Sequence, residues 1–85
     1  MLVDNEIKNR IKLCVAAYAY EFHSDSIMSD AEFDALALKI DKYARTGRPR
    51  IDLFFMQHFD PSTGVWIRKH PELDKIRFLY ERYYR

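Results

Sequence analysis

The sequence predicts a mainly α-helical protein, a compact domain of three to four helices, and three observations support this fold class. Apolar residues recur at helical spacing in several segments, with signals for helix starts and stops between them. The chain has 85 residues, which suits a single domain covering residues 1–85. An aromatic content of 15% provides large rings for a small core. A short irregular or extended piece is expected around residues 59–68.

The first helix is predicted to begin with Asp4 as its cap and to run to about Phe22. Tyr20 falls on the opposite side of this helix from its apolar stripe, so core packing does not account for its ring. Cys14 lies on the stripe and is expected to be a buried structural thiol. The full stripe is Ile7, Ile11, Cys14, Val15, Tyr18 and Phe22.

The second helix is predicted to start with a capping box, in which Ser29 and Glu32 satisfy each other's backbone amides. It is expected to run to about Ala44, because Gly47 and Pro49 are stop signals. Its apolar face comprises Phe33, Leu36, Ala37, Ile40 and Tyr43.

Residues 45–85 form an additional C-terminal segment that is predicted to end in a helix. Asp52 is a candidate cap for a third helix through Phe59, although so short an apolar run also suits a strand. Residues 60–64 predict a turn, and residues 65–67 a short buried piece. Pro71 suits the first position of the last helix. The apolar stripe of that helix comprises Leu73, Ile76, Tyr80 and Tyr83.

Composition narrows the classes of function. Cys14 is the only cysteine, so the chain has no internal disulfide and too few thiolates for a structural zinc site. The start of the chain lacks a signal-peptide pattern, and no apolar run approaches the roughly 20 residues that span a bilayer. We expect a reduced, cytoplasmic protein with no membrane association and no metal. Three scattered histidines are each expected at the surface or as caps: His23, His58 and His70.

Charge is distributed unevenly along the chain. Residues 1–44 carry 5 basic and 8 acidic side chains, whereas residues 45–85 carry 9 basic and 5 acidic ones. This asymmetry suits an acidic protein partner or nucleic acid bound through the C-terminal half. The charge is too dilute to overturn the simpler explanation, a solvated surface of mixed charge, so nucleic acid is the less favoured alternative.

The candidate ligand site lies at the junction of the first two helices. Asp30 and Asp34 are four residues apart on the second helix, so their carboxylates share one face. The helix dipole stabilises acidic side chains in a first helical turn, so the presence of these two aspartates does not by itself indicate a ligand. Tyr20 near the same loop adds an aromatic face. A ring beside carboxylates complements a cationic aromatic ligand with ribose hydroxyls better than it complements a phosphate.

These residues resemble the N-terminal helical (Ia-type) domain of the bacterial NAD-dependent DNA ligases. The motif is Tyr18-Ala19-Tyr20 near the end of one helix, then Ser29-Asp30-Ala31-Glu32-Phe33-Asp34 opening the next, and the resemblance covers about residues 7–44. The chain also resembles small stand-alone ligase-related proteins of phages and prophages. The resemblance implies a helical pair that binds the nicotinamide mononucleotide (NMN) half of NAD.

By position, the resemblance assigns ligand contacts to five residues. Tyr20, Asp30 and Asp34 match the family motif, whereas Glu21 stands in place of a histidine and Phe33 in place of a tyrosine. A ligase also needs a nucleotidyltransferase domain, which 85 residues cannot house. We therefore expect a non-catalytic module that binds NMN or NAD and is not an enzyme. The alternative is a phage or mobile-element protein that uses this scaffold to bind a host protein.

Overall fold

Four α-helices follow one another along the chain in a computed structural model that describes residues 2–84. No strand occurs among these residues, so the predicted all-α class is confirmed. The predicted irregular piece is a turn followed by a short 3₁₀ helix, and the extended alternative is wrong. The elements are α1 (Leu2–His23), α2 (Asp30–Lys39), α3 (Pro49–His58), the 3₁₀ helix (Val65–Lys69) and α4 (Leu73–Tyr84).

Helix α1 is the centre of the domain. Its 22 residues are about 33 Å long, comparable to the longest dimension of 30 Å, and it contacts α2, α4 and the 3₁₀ helix. All seven residues 13–19 are buried, so the predicted single stripe is too narrow. Ile11 and Phe22, which we assigned to that stripe, are 37% and 41% exposed. Asp4 lies in the first turn of α1 instead of capping it.

Helix α2 begins as predicted but ends five residues early. The Ser29 hydroxyl accepts a hydrogen bond from the Glu32 amide, and the Glu32 carboxylate accepts one from the Ser29 amide, both at 3.1 Å. The helix stops at Lys39, and Ile40 is already extended. Tyr43, which we placed on the apolar face of this helix, lies beyond its end and is 70% exposed.

A buried ionic cluster on α1 explains the early end of α2. Arg10 donates to the Glu6 carboxylate at 2.7 Å and to Asp52 at 2.9 Å. Its guanidinium also donates to the Asp41 carbonyl at 2.9 Å and the Ala44 carbonyl at 3.3 Å. The Asp41 amide donates to Glu6 at 3.2 Å. Backbone groups that would have continued α2 are therefore bonded to α1 side chains instead.

Helix α3 begins three residues before Asp52, the predicted cap. Arg48 is the N-cap and Pro49 is the first helical residue, a position that proline suits because its fixed φ is helical and no amide is needed there. The Asp52 carboxylate accepts from the Thr46 amide and hydroxyl at 2.9 and 2.6 Å. Burial favours a higher pKa for Asp52, but hydrogen bonds from Thr46 and from the guanidinium of α1 outweigh it and lower the pKa. Gly47 precedes the helix with a φ of +84°.

Aromatic rings fill the core between α1 and the C-terminal segment. Phe59 and Trp66 meet edge to face with ring centroids 5.1 Å apart, and Phe55 and Phe54 pack against the same indole. The Trp66 indole N–H donates to the Thr63 carbonyl at 2.6 Å. The buried core comprises Leu13, Cys14, Val15, Ala17, Tyr18, Ala19, Ala37, Phe54, Phe55, Phe59, Trp66, Ile67, Ile76 and Tyr80.

Helix α4 closes the domain against α1. It begins at Leu73, two residues after the predicted start at Pro71. Ile76 and Tyr80 are buried as the stripe predicts, but Tyr83 is 67% exposed. The Tyr80 hydroxyl donates to the Asp25 carboxylate at 2.6 Å, which ties α4 to the loop between α1 and α2. Within residues 2–84, no helix is both long and apolar enough to cross a bilayer.

Candidate functional site

All five residues singled out in the sequence line one pocket with a volume of about 270 Å³. The pocket lies between the end of α1, the loop that follows it, the start of α2 and the turn before the 3₁₀ helix. Its walls are Ala16, Ala17, Tyr20, Glu21, Ser26, Ile27, Met28, Asp30, Phe33, Asp34, Ser62, Thr63 and Gly64.

The end of α1 presents an aromatic ring to the pocket. Tyr20 is 64% exposed although its neighbour Ala19 is fully buried. Ser24 adopts a positive φ of 51°, and its amide donates to the Tyr20 carbonyl at 3.2 Å. The Asp25 amide donates to the Ala19 carbonyl at 3.0 Å. These bonds end the helix and turn the chain back, which brings the start of α2 beside Tyr20.

The first turns of α2 present two carboxylates to the same space. Asp30 and Asp34 are both exposed, and neither side chain forms a hydrogen bond or ion pair within residues 2–84. Glu32 between them faces Ser29 in the capping box, and hydrogen bonds from Ser29 lower its pKa. The capping box thus occupies one of the three acids and leaves the other two at the pocket.

Glu21 lines the pocket, but its charge is partnered. Arg68 donates through Nε to the Glu21 carboxylate at 3.0 Å and through Nη2 to the Glu21 carbonyl, also at 3.0 Å. The same guanidinium lies over the Phe22 ring, 4.7 Å from its centroid. Sequence reasoning missed Arg68, because its 47-residue separation from Glu21 leaves no local signal.

The turn at residues 62–64 also lines the pocket, and its position there was not predicted. A Cβ at Gly64 would lie 3.5 Å from Ala17 Cβ and 3.5 Å from Phe33 Cζ. The Ser62 amide and hydroxyl both donate to Asp60, which fixes the turn. The turn itself was predicted. Its position against the end of α1 depends on the tertiary packing of residues 45–84.

The chemistry of the walls favours a cationic, partly aromatic ligand. Two aromatic rings, Tyr20 and Phe33, stand near the carboxylates of Asp30 and Asp34, and the described lining contains no lysine or arginine. Aromatic faces and carboxylates both attract cations. Among residues 2–84, no group of three or more His, Cys, Asp or Glu side chains is placed to hold a metal ion.

Two buried titratable groups lie away from this pocket. Burial raises the pKa of the Cys14 thiol, as expected of a structural cysteine. His70 was predicted at the surface or as a cap, and it is buried. Its Nδ1 accepts a hydrogen bond from the Glu72 amide at 2.9 Å, so it caps the turn from inside the domain. Burial lowers the pKa of His70 to about 4.

Comparisons of the chain with family models, curated proteins and solved structures find no match. The assignment of a ligand to the pocket therefore rests on the motif residues and on their arrangement.

Proposed function

We propose that this domain is a non-catalytic module that binds nicotinamide mononucleotide in the pocket between α1 and α2. One observation carries the proposal. Tyr20 and Asp34 lie 14 positions apart in the sequence, and they line a single pocket together with Glu21, Asp30 and Phe33.

Charge and shape support a pyridinium ligand. The oxidised nicotinamide ring is a planar cation, and the rings of Tyr20 and Phe33 offer faces that attract it. Asp30 and Asp34 supply negative charge and can also accept hydrogen bonds from ribose hydroxyls. AMP shares the ribose and phosphate but has a neutral base, so the site is expected to prefer NMN.

Pocket size favours the mononucleotide over the whole dinucleotide. Small-molecule sites usually measure about 300–1,000 Å³, and this pocket has about 270 Å³. A volume near the lower bound suits a nucleoside-sized group. NAD is expected to bind through its nicotinamide half, with the adenylate half outside the pocket.

Binding without reaction is the second part of the proposal. The only thiol, on Cys14, is buried and its pKa is raised, which disfavours the nucleophilic thiolate. His70 does not line the pocket and is engaged in a turn. The pocket has aromatic and acidic walls, which suit recognition of a cation.

An NMR titration of isotopically labelled protein with NMN, with AMP in a parallel sample, tests the site. We expect shifts confined to the pocket walls with NMN, and much weaker shifts with AMP. Asp34→Asn should weaken NMN binding roughly tenfold, since it removes one of the two unpaired carboxylates.

Glu81→Gln is the matched control, because Glu81 is an exposed acid on α4 outside the pocket. It should leave NMN affinity unchanged. Equal shifts with AMP and NMN, or no shifts at NMN concentrations up to about 5 mM, would refute the proposed ligand.

A further inference from the structure

Helix α3 has two apolar faces, only one of which is buried. Phe54 and Phe55 belong to the core. Pro49, Leu53 and Met56 are spaced at i, i+4 and i+7, so they form a second stripe on the helix. Leu53 is 48% exposed and Met56 is 45% exposed. An ordinary surface helix has a polar outer face, so this stripe is available to a partner.

The chain between α2 and α3 forms the opposite wall of a groove along this stripe. Tyr43 is 70% exposed there and faces a space of about 420 Å³. The lining residues are Lys42, Tyr43, Ala44, Arg45, Gly47, Pro49, Asp52, Leu53 and Met56. The groove shares no lining residue with the nicotinamide pocket.

The charged groups of the groove are predominantly basic. Lys42 and Arg45 line it, and Asp52 is the only acid among the described lining residues. Lys42 Nζ donates one hydrogen bond to the Phe59 carbonyl at 3.2 Å and keeps its positive charge. Both carboxylate oxygens of Asp52 are already occupied, one by Arg10 and the Thr46 hydroxyl and the other by the Thr46 amide. An incoming ligand therefore meets positive charge beside an apolar centre.

We propose that this groove docks an acidic amphipathic segment of another protein. Large apolar side chains of the segment would pack on Leu53, Met56 and Tyr43, and its carboxylates would pair with Lys42 and Arg45. Helices with apolar residues at i, i+3 or i+4 and i+7 commonly occupy such grooves. Complementary charge would set the orientation and accelerate association.

Two other occupants fit less well. In a symmetric dimer the same patch meets itself, so Lys42 and Arg45 would face like charges from the second copy. Nucleic acid would be held mainly through its phosphates, whereas the centre of this groove is apolar and the whole chain has a net charge of only +1.

The inference can be tested by screening a display library of random peptides for binding to the full chain. Each peptide has about 12 residues, enough for about three helical turns. We expect enriched peptides to combine Asp or Glu with large apolar residues. When synthesised, they should shift NMR signals of Tyr43, Arg45, Leu53 and Met56. The double variant Leu53→Gln, Met56→Gln should bind them at least roughly tenfold more weakly. Glutamine is a good helix former, so this variant is expected to fold.

Leu38→Gln is the matched control, since Leu38 is 78% exposed on α2 and lies outside the groove. It should bind the peptides like the unchanged protein. No enrichment, enrichment of basic peptides, or binding unaffected by the double variant would overturn the proposal. Self-association of the free chain that the double variant abolishes would assign the groove to a second copy instead.

Discussion

Gly47 and Gly64 illustrate how one residue type serves two purposes in this chain. Gly47 has a φ of +84°, a conformation that side chains of L-residues disfavour, and a Cβ there would meet nothing within 4 Å. Gly64 has an ordinary φ of −106°, and a Cβ there would touch Ala17 and Phe33 at normal contact distance. Backbone conformation requires the first glycine, and the second keeps space open at the pocket.

Alanine substitutions at these two positions should therefore change stability in opposite directions. Gly47→Ala is expected to reduce the free energy of unfolding by about 1–2 kcal/mol, the cost of left-handed backbone with a Cβ. Gly64→Ala should raise it by about 0.4–1 kcal/mol, because alanine restricts the unfolded chain. Urea unfolding measures both. A loss at Gly64 as large as that at Gly47 would contradict this account.

The buried imidazole of His70 should make stability depend on pH. Its folded pKa of about 4 lies below the ordinary value of about 6.5. The unfolded chain therefore binds a proton at higher pH than the folded chain does. The contribution of neutral His70 to the free energy of unfolding is fully present above about pH 6.5, and it is lost as pH falls towards 4. From pH 7 to pH 5 we expect a loss of about 2 kcal/mol.

Urea unfolding of His70→Asn across the same range tests this expectation. Asparagine keeps an acceptor for the Glu72 amide but does not titrate, so the slope should flatten. His58→Asn, at an exposed histidine of α3, should retain the original slope. An unchanged slope in His70→Asn would show that another group is responsible.

If NMN binds the candidate pocket as proposed, its phosphate should contribute little to the affinity. The described lining has no lysine or arginine to pair with it. Nicotinamide riboside, which lacks the phosphate, should therefore bind within roughly threefold of NMN, a difference of under about 1 kcal/mol. Calorimetric titration of the two ligands compares them directly. A loss of roughly a hundredfold without the phosphate would mean that a cation beside the pocket pairs with it, and Arg68, which is bonded to Glu21, is the nearest candidate described.

At the scale of elements, helix α2 shows which boundary signals the sequence carries, because its start was predicted correctly and its end was not. The capping box of Ser29 and Glu32 lies within four residues of sequence, so its chemistry could be recognised directly. The end of α2 depends on Glu6 and Arg10, which are more than 30 residues away from the backbone groups they bind. The candidate pocket shows the same division. Its two helical walls were predicted from the motif, whereas the ion pair between the wall residue Glu21 and Arg68 was not.

The ionic cluster predicts a large cost for losing its cation. Arg10 is 2% exposed, pairs with Glu6 and Asp52, and lies 4.5 Å from the centroid of the Phe55 ring. Arg10→Met should lower the free energy of unfolding by about 3–5 kcal/mol, since it leaves buried carboxylates uncompensated. Thermal or urea unfolding measures the loss.

Arg50→Met is the corresponding change at the surface. The Arg50 side chain is 69% exposed, and its ion pair with Glu72 is 3.8 Å long. Exposed pairs of this kind contribute about 0–1 kcal/mol. If the two variants lost similar stability, the cluster around Arg10 would not be the element that fixes the connection between α2 and α3.

At the scale of the whole molecule, the two halves of the sequence form one domain. The chain was predicted as a single domain, residues 1–85, with a helical pair in residues 7–44 and an additional segment in residues 45–85. Helix α1 contacts α4 and the 3₁₀ helix of that segment as well as α2. The core includes Phe55, Trp66 and Ile76 from the second half. Periodicity alone could not show that residues 13–19 of α1 are buried on every side, because it identifies only one preferred face of a helix.

A fragment of residues 1–44 should therefore not fold by itself. It would expose most of the buried surface of residues 13–19, and its second helix, α2, has only 10 residues, a length that is marginal for an isolated helix in water. Circular dichroism of the fragment should show low helicity and no cooperative thermal transition, in contrast to residues 1–85. A sharp transition in the fragment would mean that the helical pair is an independent unit.

Trp66 gives the molecule a built-in optical probe. It is the only tryptophan, it is 4% exposed, and its indole donates to the carbonyl of Thr63, a wall residue of the pocket. Because the folded chain shields the indole from water, its fluorescence emission should move to longer wavelength when the chain unfolds. A nucleotide seated against Thr63 would disturb the same indole. One unlabelled sample in a fluorimeter can therefore follow both the folding of the chain and the filling of its pocket.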